Sequence, residues 1–163
     1  MKKIIVIGCP GSGKSTFSRS LYKLTGLPLY HLDLMYWNDD KTIVDKKIFL
    51  DRLNDVLNLD EWIIDGNYIS TMESRIQKCD TIVFLDYPVD ICLDGIKTRV
   101  GNKRSDMPWI ENEIDQDFIK YIERYNLDVR PNVLELLNKY SDKNIYIFKN
   151  RNESNEFLNV FNR

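Results

Sequence analysis

Long apolar runs are missing from this chain: no stretch of its 163 residues approaches the ~18 consecutive apolar positions that a membrane span requires. Cysteine is scarce. Cys9, Cys79 and Cys92 are odd in number and share no metal-ligand spacing, so no disulfide framework is expected, and reduced thiols in a cytoplasm are the simple reading. Histidine occurs once, at position 31. An excess of positive charge is also lacking, because 23 Lys and Arg against 25 Asp and Glu leave a formal net charge of -2. Unselective duplex DNA binding needs a cationic face for counterion release, and this balance weighs against it. Lys2-Lys3 before "IIVIG" does not make a targeting segment, since the apolar run is too short and no small-residue cleavage site follows. Internal repeats and low-complexity tracts are absent from the sequence.

The remaining composition, 43% apolar and 29% charged, is that of one globular domain over residues 1–163 with a substantial core. Short apolar runs alternate with helical patterns. Lys2–Ile7 reads as a buried strand and Lys14–Thr25 as a helix closed by Gly26. Leu29–His31 is a short second strand, and Asp45–Asn58 carries Ile48, Phe49, Leu53, Val56 and Leu57 at helical spacing. Trp62–Ile64 and Thr81–Leu85 are strands, each followed by an aspartate and a turn signal. A helix runs from Pro88 to about Arg99, Val100–Pro108 is a polar connector, and Ile114–Arg130 reads as one long amphipathic helix. A further helical piece starts at Pro131, Asn144–Phe148 is the last strand, and a surface helix follows Asn150. Five strands separated by helices predict a three-layer α/β/α fold with a parallel sheet. Ligands bind such sheets beyond the carboxyl ends of the strands, and Gly8, Asp33, Asp65 and Asp86 fall there.

Gly8, Gly13, Lys14 and Ser15 satisfy G-x-x-x-x-G-K-[ST] between a strand and a helix. Such a loop wraps so that backbone N–H groups converge on a phosphate, which side chains would block. The helix that follows adds free N–H groups and the positive end of its dipole. Gly8, Gly11, Ser12, Gly13, Lys14, Ser15 and Thr16 are therefore the expected nucleotide-binding residues. Lys14 reaches the β and γ oxygens, and the Ser15 hydroxyl is offered to Mg²⁺. ATP and Mg²⁺ are the cofactors implied. Cys9, inside this loop, reads either as a small buried filler or as a thiol acidified by the anion nest and Lys14.

The segments "GCPGSGKSTFSRSLYKLTGLPLYHLDLMYW", "WIIDGNYISTMESRI", "TIVFLDYP" and "RSDMPW" resemble the bacterial topology modulation proteins, an adenylate-kinase-like branch of the P-loop kinases, from about residue 3 to 131. The resemblance implies a nucleoside-monophosphate-kinase fold that binds ATP, with a short lid at about 100–110 and an acceptor-binding region at about 33–75. It also implies a lid-hinge arginine at Arg99, a lid arginine at Arg104, and an arginine, Arg75, facing the acceptor phosphate. These are the expected catalytic arginines, because phosphoryl transfer is mostly positioning and charge neutralisation. Each also reads as a solvated surface charge. Position 95 departs from the resemblance: Gly95 stands where an arginine stacks on adenine, so the base preference is open. The lid carries no cysteine pair, so zinc is not expected there.

Asp65 is the carboxylate expected to hold Mg²⁺ through water, and Asp86 reads as the start of the turn into Pro88. Asp33, in "YHLDLMYW", lies where P-loop kinases acting on hydroxyl acceptors resemble this chain in having an aspartate that orients or deprotonates the hydroxyl. An Asx-type turn is its bland alternative. His31 reads as a strand residue with one hydrogen bond. Tyr36, Trp37 and Tyr68 read as stacking groups for an acceptor ring or as rim packing, and Phe118, Tyr121 and Tyr125 as core. Lys120, Arg124 and Arg130 read as a cleft lining or as an exposed charged face. The function expected is transfer of the γ-phosphoryl group of Mg-ATP to a small acceptor: a nucleoside, a nucleotide or another hydroxyl compound. The alternative is a nucleotide-binding regulator of DNA topology that phosphorylates no metabolite. The partners expected are a nucleoside triphosphate and a small molecule, with no membrane, and a monomer or weak dimer in the cytoplasm.

Overall fold

A computed structural model describes residues 1–161. Its elements, in chain order, are β1 (Lys3–Gly8), α1 (Lys14–Thr25), β2 (Leu29–His31), α2 (Leu32–Tyr36) and α3 (Lys46–Leu57). Next come β3 (Trp62–Asp65), α4 (Ile69–Lys78), β4 (Thr81–Leu85) and α5 (Val89–Lys97). The last are α6 (Gln116–Glu123), α7 (Tyr125–Asp128), α8 (Arg130–Lys139), β5 (Asn144–Phe148) and α9 (Arg151–Val160). The strands form one five-stranded sheet in the order β2-β3-β1-β4-β5, parallel throughout.

The burial of β1, β3 and β4 explains their unbroken apolar sequences. Ile4 to Ile7, Trp62 to Ile64 and Ile82 to Leu85 are at most 1% exposed, because helices cover both faces of the sheet. β1 is central, and the chain leaves it for β2 on one side, then crosses back past it to reach β4 on the other. The loop after β1 therefore opens where neighbouring connections diverge, which leaves a crevice at the carboxyl ends of the strands.

Helix boundaries follow local chemistry. Gly26 ends α1 at φ 73°, in the left-handed region, and its N–H donates to the Tyr22 carbonyl. The side chains of Asp45, Asp115 and Asn150 cap α3, α6 and α9 by accepting from the N–H groups of Lys47, Asp117 and Glu153. The long helix expected over Ile114–Arg130 is instead divided between α6 and α7, and α8 begins at its end. Arg124, at φ -91° and ψ -3°, closes α6 and turns the chain so that Tyr125 enters the core. Pro131 lacks an N–H and so suits the first turn of the new helix, α8. The helix α9, expected on the surface, turns one side inward: Phe157 packs on Phe17 and Phe148, with ring centroids 6.3 and 5.3 Å apart. Among the described residues no helix is long and apolar enough to cross a membrane.

Candidate active site

The loop between β1 and α1 is held open by three glycines with positive φ: Gly8 at 155°, Gly11 at 86° and Gly13 at 94°. At Gly13 a Cβ would meet no atom within 4 Å, so the loop's front is clear for a ligand. Its back is not. A Cβ on Gly11 would lie 1.9 Å from the Cys92 carbonyl oxygen, and one on Gly95 would lie 2.0 Å from the Gly11 carbonyl oxygen. Gly95 is thus required by the close approach of α5 to the loop, and an arginine there would force the two apart.

Inside the loop, Lys14 Nζ donates to the carbonyls of Gly8 and Cys9 at 2.9 and 3.3 Å. Burial, and then the neighbouring Arg99 guanidinium, lower the lysine pKa. Ser12 Oγ is buried with no hydrogen-bond partner among the described residues. An unsatisfied hydroxyl beside converging N–H groups and a folded-back ammonium fits a polyphosphate, which supplies acceptor oxygens to all of them. Cys9 is 1% exposed, and its buried contact with the Cys92 thiol pushes its pKa up. Of the two readings of Cys9, these observations favour the small buried filler over the acidified thiol.

Three carboxylates stand around the loop. Asp33, in the first turn of α2, accepts a 2.5 Å hydrogen bond from the Tyr68 hydroxyl. Burial raises its pKa, against the opposing effects of the Tyr68 bond and the Lys14 charge. Asp65, ending β3, is 2.8 Å from His31 Nδ1 at the end of β2. Burial alone would lower the His31 pKa, but the hydrogen bond and charge of Asp65 raise it. The third carboxylate, Asp106, went unnoticed in the sequence. Its Oδ2 accepts a 2.7 Å hydrogen bond from Ser15 Oγ, and both its oxygens take bonds from Arg104. Burial would raise the Asp106 pKa, but the Ser15 hydroxyl and Arg104 hold it down to about 2. Arg104 also donates to Glu111 at 2.9 Å. The segment from 98 to 115 thus lies against α1 through the Ser15–Asp106 contact and through Arg19, which donates to Ser105 at 3.3 Å.

Arg99 lines the clefts on both sides of this contact, beside Lys14. Arg75 does not reach either cleft. It is fully buried, and its guanidinium donates to the carbonyls of Thr71, Gly66, Asn67 and Tyr68. The expectation that Arg75 faces an acceptor phosphate is therefore corrected: its charge is consumed by the turn that precedes α4. That turn reaches both the β1–α1 loop and Asp33. Asn67 Oδ1 accepts from the Gly8 N–H at 3.0 Å, and Tyr68, at φ 37°, projects its hydroxyl onto Asp33. Asp86 binds Arg130 at 2.8 Å and also Lys149, a structural clamp between the ends of β4 and β5. Arg124 pairs with Asp128 on the surface, and Lys120 is exposed. Tyr125 is core as expected, whereas Tyr121 is 40% exposed and lines the larger cleft with Phe118.

Two clefts meet at Ser15, Arg99 and Asp106. The larger, of about 820 Å³, contains Lys14, Asp33, Asp65, Tyr68 and the aromatic residues Tyr36, Trp37 and Trp109. The smaller, of about 460 Å³, runs from Gly11–Gly13 past Thr98 and Asn102 to Arg151 and Asn155 of α9. Thr16 opens onto the smaller cleft and Ser15 onto both. Among the described residues no three His, Cys, Asp or Glu side chains form a metal cluster. A Mg²⁺ carried in with a nucleotide needs only one or two protein ligands, and Ser15 and Asp65 both face the larger cleft.

A parallel sheet with a phosphate loop after its central strand and helices on both faces defines the fold of the P-loop kinases. Solved structures agree. A shikimate kinase from Acinetobacter baumannii in complex with shikimate matches with a TM-score of 0.61 at 16% identity, over 98% of this chain and 90% of that one. Shikimate kinase from Bacteroides thetaiotaomicron matches at 0.55 and 16%, over 96% and 94%. Deoxyadenosine kinase from M. mycoides with bound dATP matches at 0.54 and 18%, over 98% and 99%. No protein-family model matches the chain, and no curated protein does.

Proposed function

We propose that this protein is a kinase that transfers the γ-phosphoryl group of Mg-ATP to a hydroxyl of a small acceptor. The observation that carries the reading is the half-buried carboxylate of Asp33, held by the Tyr68 hydroxyl and with its pKa raised, sharing one cleft with Lys14, Ser15 and Arg99. A hydroxyl nucleophile gains from a carboxylate base at hand in the same cleft. Nucleotide phosphates would be gripped by the N–H groups of residues 8–16 and by Lys14. The base would lie in the smaller cleft, against Arg151 and Asn155. Ser15, with Asp65 acting through water, would hold Mg²⁺, which supplies neutralisation of phosphate charge. Asp33 accepts the acceptor's proton as its oxygen bonds to the γ-phosphorus, and the bond to the departing ADP oxygen breaks. Arg99 stabilises the charge spread over the transferred group, and Arg104 is available once it leaves Asp106. Residues 100–110 would act as the lid and residues 33–75 as the acceptor region. The "HLD" and "DGNY" segments support membership of the topology modulation branch, and the three free thiols suit a cytoplasmic enzyme.

ADP release measured across a panel of hydroxyl compounds tests the proposal. Acceptor-stimulated turnover that disappears in Lys14→Ala is expected. Turnover with no acceptor dependence would contradict it.

A further inference from the structure

Resting on the kinase reading above, we propose that the acceptor is an uncharged alcohol bearing a flat ring, of the nucleoside type. Compounds that present a phosphate or carboxylate at that end of the cleft are rejected.

Charge supports this first. An anionic acceptor needs a guanidinium or ammonium beside it, and the residue expected to provide one, Arg75, is sealed beneath the floor by four backbone carbonyls. Among the described residues the cations lining the larger cleft are Lys14, Arg99 and Lys41. Lys14 is folded onto the loop carbonyls with Arg99 close by, and Lys41 is exposed on a turn. The carboxylates lining the cleft outnumber them. Asp106 and Glu111 are matched by Arg104, and Asp65 by His31, but Asp33, Glu113 and Asp115 have no cationic partner among the described residues. A phosphate set beside Asp33 would meet a like charge in a partly desolvated site.

The walls argue for a ring. Tyr36 and Tyr68 lie with centroids 4.8 Å apart on the floor, and Trp37 stands edge-on to Tyr36 at 5.1 Å. Trp109 comes from the opposite side, in the segment between α5 and α6, and meets Trp37 edge-on at 5.1 Å. The four rings form one contiguous cluster lining the cleft, and the faces they leave open to it offer a planar ring a stacking surface. Asp33 at the inner end then receives a hydroxyl, and the ring leaves by the aromatic mouth.

The experiment titrates adenosine, guanosine, cytidine and thymidine, their 5′-monophosphates, and shikimate into the full chain. Tryptophan fluorescence and calorimetry report binding. At least one nucleoside should quench the fluorescence and bind at least about tenfold more tightly than its own 5′-monophosphate. Trp37→Ala should weaken that nucleoside about tenfold while Mg-ATP binding is unchanged, with Trp37→Phe as the milder variant should the first fail to fold. Asp33→Asn should narrow the discrimination against the monophosphate by removing the like charge. Monophosphates or shikimate binding as tightly as the nucleosides, or no nucleoside binding at all, would overturn the proposal. Nucleoside binding without ADP release would refute the kinase reading and leave the acceptor class standing. Transfer to a monophosphate alone would do the reverse.

Discussion

The Tyr68 hydroxyl donates to Asp33 Oδ1 across 2.5 Å from a residue held at φ 37°, a conformation bulky side chains rarely adopt. Arg75 holds the turn by binding its carbonyls, so the strain and the buried guanidinium serve one contact. This pair sets the first prediction. In the proposed mechanism Asp33 is a base only when ionised, and its folded pKa lies above the ordinary carboxylate value, so that activity should fall as pH drops through the raised pKa. The Tyr68 bond lowers the pKa, hence Tyr68→Phe should move the acidic limb of the kcat profile to higher pH. A limb that moves to lower pH, or not at all, would contradict the assignment.

Asp33→Asn should separate function from stability. A carboxyl whose folded pKa is raised loses folding stability as pH climbs from its unfolded value of 3.8 to the raised folded value, the penalty being complete above that, and Asn removes it. Transfer should drop by on the order of 10²–10⁴-fold. The melting temperature at neutral pH should rise, and the gain should vanish at low pH, where Asp33 is protonated in both states. Thermal melts of both proteins across pH would show this.

The contact between Asp106 and Ser15 carries the opposite sign. Its folded pKa is depressed to about 2 from 3.8, so its contribution is present above about pH 4 and is lost as pH falls towards 2. Asp106→Asn should therefore melt below the wild type at pH 7 and converge with it in acid. It should also free Arg104 and Ser15, which hydrogen exchange in residues 98–115 would detect as loss of protection.

Gly95→Ala puts a methyl group 2.0 Å from the Gly11 carbonyl. Backbone faces it, so one of the two segments must move, at a cost of about 1–3 kcal/mol. Because Gly11 belongs to the phosphate loop, Mg-ATP affinity should fall with stability, and denaturant unfolding beside calorimetry would measure both. Gly95→Arg should be worse, not a restoration of adenine stacking.

The central strands β1, β3 and β4 were legible because each is a short apolar run, buried on both faces and followed by a turn residue. The glycine-rich turn between β1 and α1 was legible because its spacing is set by backbone geometry. Two kinds of feature were not. Breaks at Arg124 and Val129 depend on Tyr125 reaching the core, which periodicity alone does not encode. Arg75 and Asp106 were misjudged or missed because their partners are distant or are main-chain atoms: Asp106 meets Ser15 ninety-one residues away, and Arg75 binds carbonyls that any sequence possesses. Gly95 looked like a lost side chain, and only its packing on Gly11 gives the reason.

The phosphate grip of the β1–α1 loop underlies the whole account, and calorimetric titration of Mg-ATP into the wild-type chain and Lys14→Ala tests it most directly. The account predicts one site in the wild type and affinity weakened on the order of 10²-fold or more in the variant, as expected for loss of a buried charge-assisted contact. No binding to the wild type, or equal binding to both, would contradict it.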